Sequence, residues 1–370
     1  MGNQLPWQRR KLGPAIGILF GLTMASAELA PAQVAVGAAV VNEDRYPVRK
    51  VEFSGGVTGL PDLVYYHPSG FRGVMLDLYL PPGAPAAGAK PFVVYIHGGG
   101  WSGGMARTTS AFENWPGVLA SLAAKGYVVA SLNYRLSGEA PFPAAEQDVK
   151  AAVRWLRTNA AKYGVDPKRG LVWGASAGGH LAALTATSCG VAALEPAAAG
   201  RGRGGGRGLG APAAPAQATA EESDCVQGLV SWFGIFDLEP LVGHSSATAQ
   251  NGNQGDSGLG RFLGCTASGC AADVIRLASP VSFVDAHTPP ALLIHGTVDK
   301  TVNPKQSQDM YELLKSKGVP VEIMMIPGVG HSFIGETQEA TSAASNAALE
   351  RTFSFIDATI GGKAKSGVSH

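Results

Sequence analysis

The chain has 370 residues, of which 45% are hydrophobic and 15% charged, a globular composition with ample length to bury a core. Its 29 basic and 28 acidic side chains leave a formal charge of +1, so electrostatics offers no case for a nucleic acid or an anionic membrane as partner.

At the N-terminus, Arg9, Arg10 and Lys11 precede the apolar run LGPAIGILFGLTMA, and small residues follow at Ala25-Ser26-Ala27 and Ala30-Pro31-Ala32. This is the order of a secretory signal peptide with two candidate cleavage sites. Residues 1–32 are expected to be that signal and 33–370 a single mature domain, secreted or periplasmic. A membrane anchor is the competing reading, but the run is short of the roughly 20 residues that a spanning helix needs, so no stable membrane insertion is expected.

Beyond it, DLVYY and VMLDLYLPPG read as early strands, and then strand-like and helix-like segments alternate. PFVVYIH (91–97) precedes a helix candidate near 112–125, and YVVASLNY (127–134) precedes a second over 144–163. In that helix Val149, Ala152, Val153, Leu156 and Ala160 recur at helical spacing while Lys150, Arg154 and Arg157 point elsewhere. RGLVWG leads into SAGGHLAALTATS, VQGLVSWFG follows, PALLIHG precedes a helix over NPKQSQDMYELLKSKG, and PVEIMMIPG precedes a last helix near 341–358. Short, continuously apolar strands between amphipathic helices imply an α/β domain whose mostly parallel sheet is covered on both faces.

Two segments interrupt this rhythm. Residues 191–224 are rich in Gly, Ala and Pro and nearly empty of large apolar groups, so most of this insertion is expected to be disordered. Its RGRGGGRG core has three arginines but no aromatic to stack a base, which argues against single-stranded RNA. The second, 238–285, sits where a lid over an active site, or a plain surface excursion, would be built. Four cysteines agree with export: Cys265 and Cys270 bracket a small loop that a short disulfide would close, while Cys189 and Cys225 flank the first insertion. Four cysteines permit three pairings, and the sequence does not choose among them. The chain has no Cys-x-x-Cys pair or His cluster to hold zinc.

The chemistry centres on Gly174-Ala175-Ser176-Ala177-Gly178, which follows the apolar strand GLVW and opens a helix. G-x-S-x-G in that setting is a nucleophile elbow, with small neighbours because strand and helix backbones nearly touch. A serine hydroxyl needs a base and a group to orient that base. His331, in the Gly-rich loop IPGVGHSF, is the expected base, and Asp299, in LLIHGTVDKTV, the expected orienting acid. Ser, Asp, His is the order this elbow predicts; Asp237 and Asp285 are reserve acids. HGGGW (97–101) supplies the remaining requirement, since its glycines let backbone N–H groups of Gly98 or Gly99 join that of Ala177 as an oxyanion hole. A phosphate loop is the other use of such glycines, but no G-K-[ST] follows. Trp101 is expected to wall the substrate pocket, the alternative being a core position, and His97 to brace the loop.

Taken together, DLYLP, HGGGW, LNYRL, GASAGGHLAAL, FGIFDL, HGTVDKTV and GVGHSF resemble the secreted carboxylesterases of the α/β-hydrolase fold, in particular their bacterial feruloyl-esterase-like (BD-FAE-like) branch. The resemblance spans about residues 60–358. It implies Ser176 as nucleophile, His331 as general acid/base, Asp299 as orienter, Gly98, Gly99 and Ala177 as oxyanion donors, and no metal or organic cofactor. It also implies acetyl or feruloyl esters of plant polysaccharide as substrates. The hormone-sensitive-lipase-like branch usually carries Asp before the nucleophile, where this chain has Ala175. Two other functions are weighed: an amide-cleaving relative such as a formamidase or peptidase, and a non-catalytic binding protein on the same fold. The composition leaves oligomeric state open.

Overall fold

The structure is a computed structural model and describes residues 49–109, 112–196, 223–242, 258–265 and 269–362. The expected signal segment and residues 197–222 of the first insertion lie outside the described residues.

Nine strands form one sheet: β1 (Val51–Phe53), β2 (Val57–Tyr66), β3 (Val74–Leu80), β4 (Lys90–Ile96), β5 (Val128–Leu132), β6 (Val165–Ala175), β7 (Leu229–Trp232), β8 (Ala291–Gly296) and β9 (Val321–Ile326). Their spatial order is β1-β2-β3-β5-β4-β6-β7-β8-β9. The pairs from β1 through β3 to β5 are antiparallel, and every pair from β5 through β4 to β9 is parallel. The antiparallel hairpins at one edge escape the simple alternating pattern, and β1, only three residues and mostly exposed, carries no apolar run that would announce it.

The helices are α1 (Trp115–Ala124), α2 (Ala144–Thr158), α3 (Ala160–Tyr163), α4 (Ala177–Thr187), α5 (Gly258–Leu263), α6 (Ala272–Ala278), α7 (Lys305–Ser316) and α8 (Gln338–Ile360). The predicted helix over 144–163 is interrupted at Asn159, where the side-chain amide and the backbone N–H both donate to Trp155 O at 2.9 Å. Among the described residues no helix is long and apolar enough to cross a membrane.

Alternation along the strands builds two cores. Phe92, Val94 and Ile96 of β4 join α2, α4 and α7 on one face; Val93 and Tyr95 join α1 and α8 on the other. The continuous apolar runs in the sequence follow from this, because a parallel strand sandwiched by helices has no wet face. α4 is buried along nearly its whole length, since it packs against both β6 and β7 while α2 covers its outer side.

A buried charged cluster anchors both ends of the first insertion. Lys150 Nζ donates to Ser188 O at 2.6 Å and pairs with Asp224, while Arg154 pairs with Glu195. Beside them a disulfide joins Cys189 to Cys225, and a second joins Cys265 to Cys270. Glu146, fully buried, accepts from Thr185 Oγ1 at 2.8 Å. Burial pushes its carboxyl up to about 8, against the opposing pull of Lys150 and the Thr185 hydroxyl. A carboxyl whose folded pKa is raised binds its proton more tightly when folded, so its contribution to stability is complete below the ordinary value and lost as pH rises through about 8. Glu146→Gln, which cannot ionise, is therefore expected to gain on the wild type as pH rises from about 5 to about 9. Thermal unfolding would show a melting-temperature difference that grows with pH; a constant difference would refute the assignment.

Candidate active site

The C-terminal ends of the parallel strands carry the loops that matter, as expected for a sheet of this kind. β6 ends at Ala175, and Ser176 turns the chain into α4 with φ 54° and ψ −120°. A non-glycine residue so far from the allowed basins is strained, and its surroundings must hold it there. Ser176 N donates to Trp232 O and His180 N to Ser176 O, each at 2.9 Å. The small neighbours are obligatory. A Cβ on Gly174 would lie 2.1 Å from Gly178 O, and one on Gly178 would lie 2.1 Å from Ile96 O.

The loop after β4 crosses directly beside this turn. A Cβ on Gly98 would come within 2.8 Å of Ala175 O, and Gly99 adopts φ 115°, which favours glycine. Among the described residues no protein group accepts from the N–H of Gly98, Gly99 or Ala177. His97 is buried and stacked on Tyr134, with Nδ1 2.7 Å from its own loop at Gly98 O. Burial lowers its pKa to about 4, so it stays neutral and braces the loop.

His331 follows β9 and bonds both predicted partners: Nε2 lies 3.0 Å from Ser176 Oγ, and Nδ1 lies 2.7 Å from Asp299 Oδ2. The turn it opens holds Ser332 and Phe333 at φ 61° and 60°, and Phe233 meets the imidazole edge-on at 4.8 Å. Asp299 follows β8. Its Oδ1 accepts from Thr301 N at 2.8 Å and Val302 N at 2.9 Å, and its Oδ2 is shared by His331 and by His295 Nε2 at 3.2 Å. Burial opposes ionisation of this carboxyl, but hydrogen bonds from His295, His331 and Val302 N outweigh it and hold the pKa well below the usual carboxylate range. A fixed anion thus faces Nδ1, directing the imidazole's bare Nε2 at Ser176. The hydroxyl can then pass its proton to that nitrogen as the oxygen attacks an electrophile.

Ser176 and His331 open onto a cavity of about 510 Å³ whose walls include Gly98, Gly99, Thr108, Phe233, Thr301 and Ser332. A second cavity of about 510 Å³ lies over β1–β3, where Arg107 pairs with Asp62 and Asp77. Among the described residues it contains no nucleophile with a base in reach, so the chemistry belongs to the first. Reserve acids Asp237 and Asp285 are engaged elsewhere: Asp237 Oδ1 accepts from Glu239 N, and Asp285 Oδ1 accepts from His287 N.

The model of the BD-FAE family matches residues 76–314. The chain belongs to the BD-FAE family. Its curated relatives include esterase LipC of Mycobacterium tuberculosis, 30% identical over 70% of this chain and 57% of LipC. Esterase LipQ of the same organism is 28% identical over 72% of this chain and 56% of LipQ. The BD-FAE chain therefore spans a little over half the length of these two relatives. A truncated carbohydrate esterase from gut microbiota superposes with a TM-score of 0.62 at 24% identity, covering 83% of this chain and 98% of that one. The fold is that of the α/β-hydrolases, as the sequence motifs imply.

One expected site residue of this BD-FAE domain lies elsewhere. Trp101 is buried, stacked on Phe262 of α5 at 4.4 Å, and is absent from the walls of the cavity. Its φ of 57° turns the side chain under the loop, where Nε1 finds an acceptor on His180, so it takes the core position rather than the pocket. Among the described residues two buried histidines, His295 and His180, had no role assigned from the sequence. His295 sits in the apolar strand β8 with no exposure, its Nδ1 2.7 Å from Ser307 Oγ, and supports Asp299 from behind. His180 lies one turn into α4. The only signal for either was a polar ring in an otherwise apolar element.

Proposed function

We propose that the chain is an exported serine hydrolase that cleaves carboxylic esters through an acyl-enzyme. The observation that carries this is the hydrogen-bonded series Ser176–His331–Asp299, at 3.0 and 2.7 Å, on the wall of an accessible cavity beside unpaired loop N–H groups. Ser176 Oγ attacks the ester carbonyl while His331 Nε2 takes its proton, and the oxyanion is held by N–H groups of Gly98 or Gly99 and of Ala177. His331 then returns the proton to the departing alcohol as the C–O bond breaks. Water enters by the same route, regenerating Ser176 and releasing the acid.

The names of LipC and LipQ as esterases support ester substrates over amides. The side-chain-free glycines beside Ser176, with the hydroxyls of Thr108, Thr301 and Ser332 among the lining residues, support a short acyl group on a polar alcohol, such as an acetylated polysaccharide. Feruloyl esters are the other proposed substrate, with Phe233 as the aromatic wall. Two disulfides and the N-terminal basic-then-apolar segment support export.

Rates on p-nitrophenyl acetate, p-nitrophenyl decanoate and methyl ferulate, with fluorophosphonate labelling alongside, test the reading. Turnover fastest on the acetate is expected. Ferulate or decanoate in first place would overturn the short-acyl assignment, and absence of both turnover and labelling would overturn the esterase itself.

A further inference from the structure

His180 is a buried titratable side chain that the proposed chemistry leaves unused, yet it joins three elements around the site. Trp101 Nε1 donates to His180 Nδ1 at 3.1 Å, and His180 Nε2 lies 2.8 Å from Ala278 O at the end of α6. An indole nitrogen only donates and a carbonyl only accepts, so the proton sits on Nε2 and the ring is neutral. Phe262 of α5 completes the enclosure, stacked on Trp101 and edge-on to His180 at 5.5 Å.

Trp101 is also where the loop after β4 is strained. Its φ of 57° is costly for a tryptophan and persists because its surroundings hold it, Ser137 N donating to its carbonyl at 2.8 Å and His180 accepting from its indole. The two residues that follow it, Ser102 and Gly103, donate their N–H groups to Gly99 O at 3.1 and 3.0 Å. Movement of Trp101 therefore turns the peptides on either side of Gly99, whose N–H is one of the proposed oxyanion donors. The loop reaches the core through His97, stacked on Tyr134, and through Trp101, whose indole is held by His180.

We infer that His180 is a positioning residue for the oxyanion hole, gripping Trp101 against Ala278 so that the N–H groups of Gly98 and Gly99 keep their aim at the oxygen of the carbonyl that Ser176 attacks. The inference rests on the esterase reading of the site. It also makes the hole depend on α5 and α6, which lie in the second interruption of the sequence rhythm. Burial lowers the imidazole pKa to about 4, which keeps Nδ1 free to accept throughout the neutral range.

The test is a double-mutant cycle in the full chain with His180→Leu, Trp101→Phe and both together, plus His180→Gln. Leu removes both polar atoms, Phe keeps the stack on Phe262 but removes the donor, and Gln retains one acceptor and one donor. Two rates are read below the melting temperature of each variant: turnover of p-nitrophenyl acetate, and labelling of Ser176 by a fluorophosphonate, whose phosphoryl oxygen enters the same hole.

His180→Leu is expected to lower kcat and the labelling rate at least about tenfold, within the roughly hundredfold that a misplacement of about 1 Å costs, with KM changed by less than about twofold. Gln should recover most of the loss, and the double variant should be no slower than the slower single one. A lowered melting temperature with unchanged kcat and labelling, additive effects of the two substitutions, or failure of Gln to recover the rate would each overturn the inference. Should His180→Leu fail to fold, Trp101→Phe and His180→Gln still decide it by the same two rates. Labelling without ester turnover in the wild type would sink the esterase reading alone, leaving labelling rates to judge His180; a wild type that neither labels nor turns over would sink both.

Discussion

Ser176→Ala is expected to reduce ester turnover by about 10⁶-fold while leaving the melting temperature close to that of the wild type. The size follows from the role proposed for the hydroxyl: if it forms the acyl-enzyme, its loss leaves only the oxyanion donors and substrate binding to help water. Stability should change little because alanine keeps the Cβ, and the backbone bonds that fix the turn, Ser176 N to Trp232 O and His180 N to Ser176 O, do not involve the hydroxyl. Steady-state kinetics of the purified variant on p-nitrophenyl acetate, beside its thermal unfolding, provide the check. Residual activity within tenfold of wild type would place the nucleophile elsewhere.

Asp299→Asn should cost about 10⁴-fold in kcat, by a route that the hydrogen bonds specify. Oδ1 of Asp299 accepts two backbone N–H groups, from Thr301 and Val302, so the amide oxygen of an asparagine must take that place. Its NH₂ then replaces Oδ2 and faces two imidazoles. To avoid a donor meeting a donor, His331 must move its proton from Nδ1 to Nε2, and the nitrogen facing Ser176 can no longer receive one. KM should change far less than kcat, because the residue is buried behind His331 and lies outside the cavity walls. A fall in kcat of less than tenfold would mean that the acid does not set the tautomer.

How much of this was legible in the sequence varies with the range over which each signal acts. The strands from PFVVYIH to PVEIMMIPG announced themselves because burial on both faces makes a local apolar run. Ser176, Asp299 and His331 were found because each sits just past such a run, at the same edge of one sheet, and the structure brings the three together. Trp101 was misread because its fate is decided by Phe262 and His180, residues remote in the chain whose approach no local pattern encodes. His295 was passed over for a related reason: inside LLIHG a histidine looks like an exception, and only the fold shows Asp299 and Ser307 on either side of it. The break at Asn159 leaves no mark in the sequence strong enough to override the apolar stripe that runs through it.

The disulfide between Cys189 and Cys225 has a consequence for how this scaffold tolerates change. With Cα atoms 4.8 Å apart, and Lys150 and Arg154 clasping Asp224 and Glu195 beside them, the two ends of the insertion are fixed side by side. Closing a longer loop across fixed ends costs only about 0.6 kcal/mol for each doubling of its length. What lies between Glu195 and Asp224 can therefore lengthen, shorten or be exchanged for foreign sequence at small thermodynamic cost, with the strain stopped at the clasp before it reaches α4 and Ser176. The position is a natural socket for grafting a tether or a carbohydrate-binding module onto the domain.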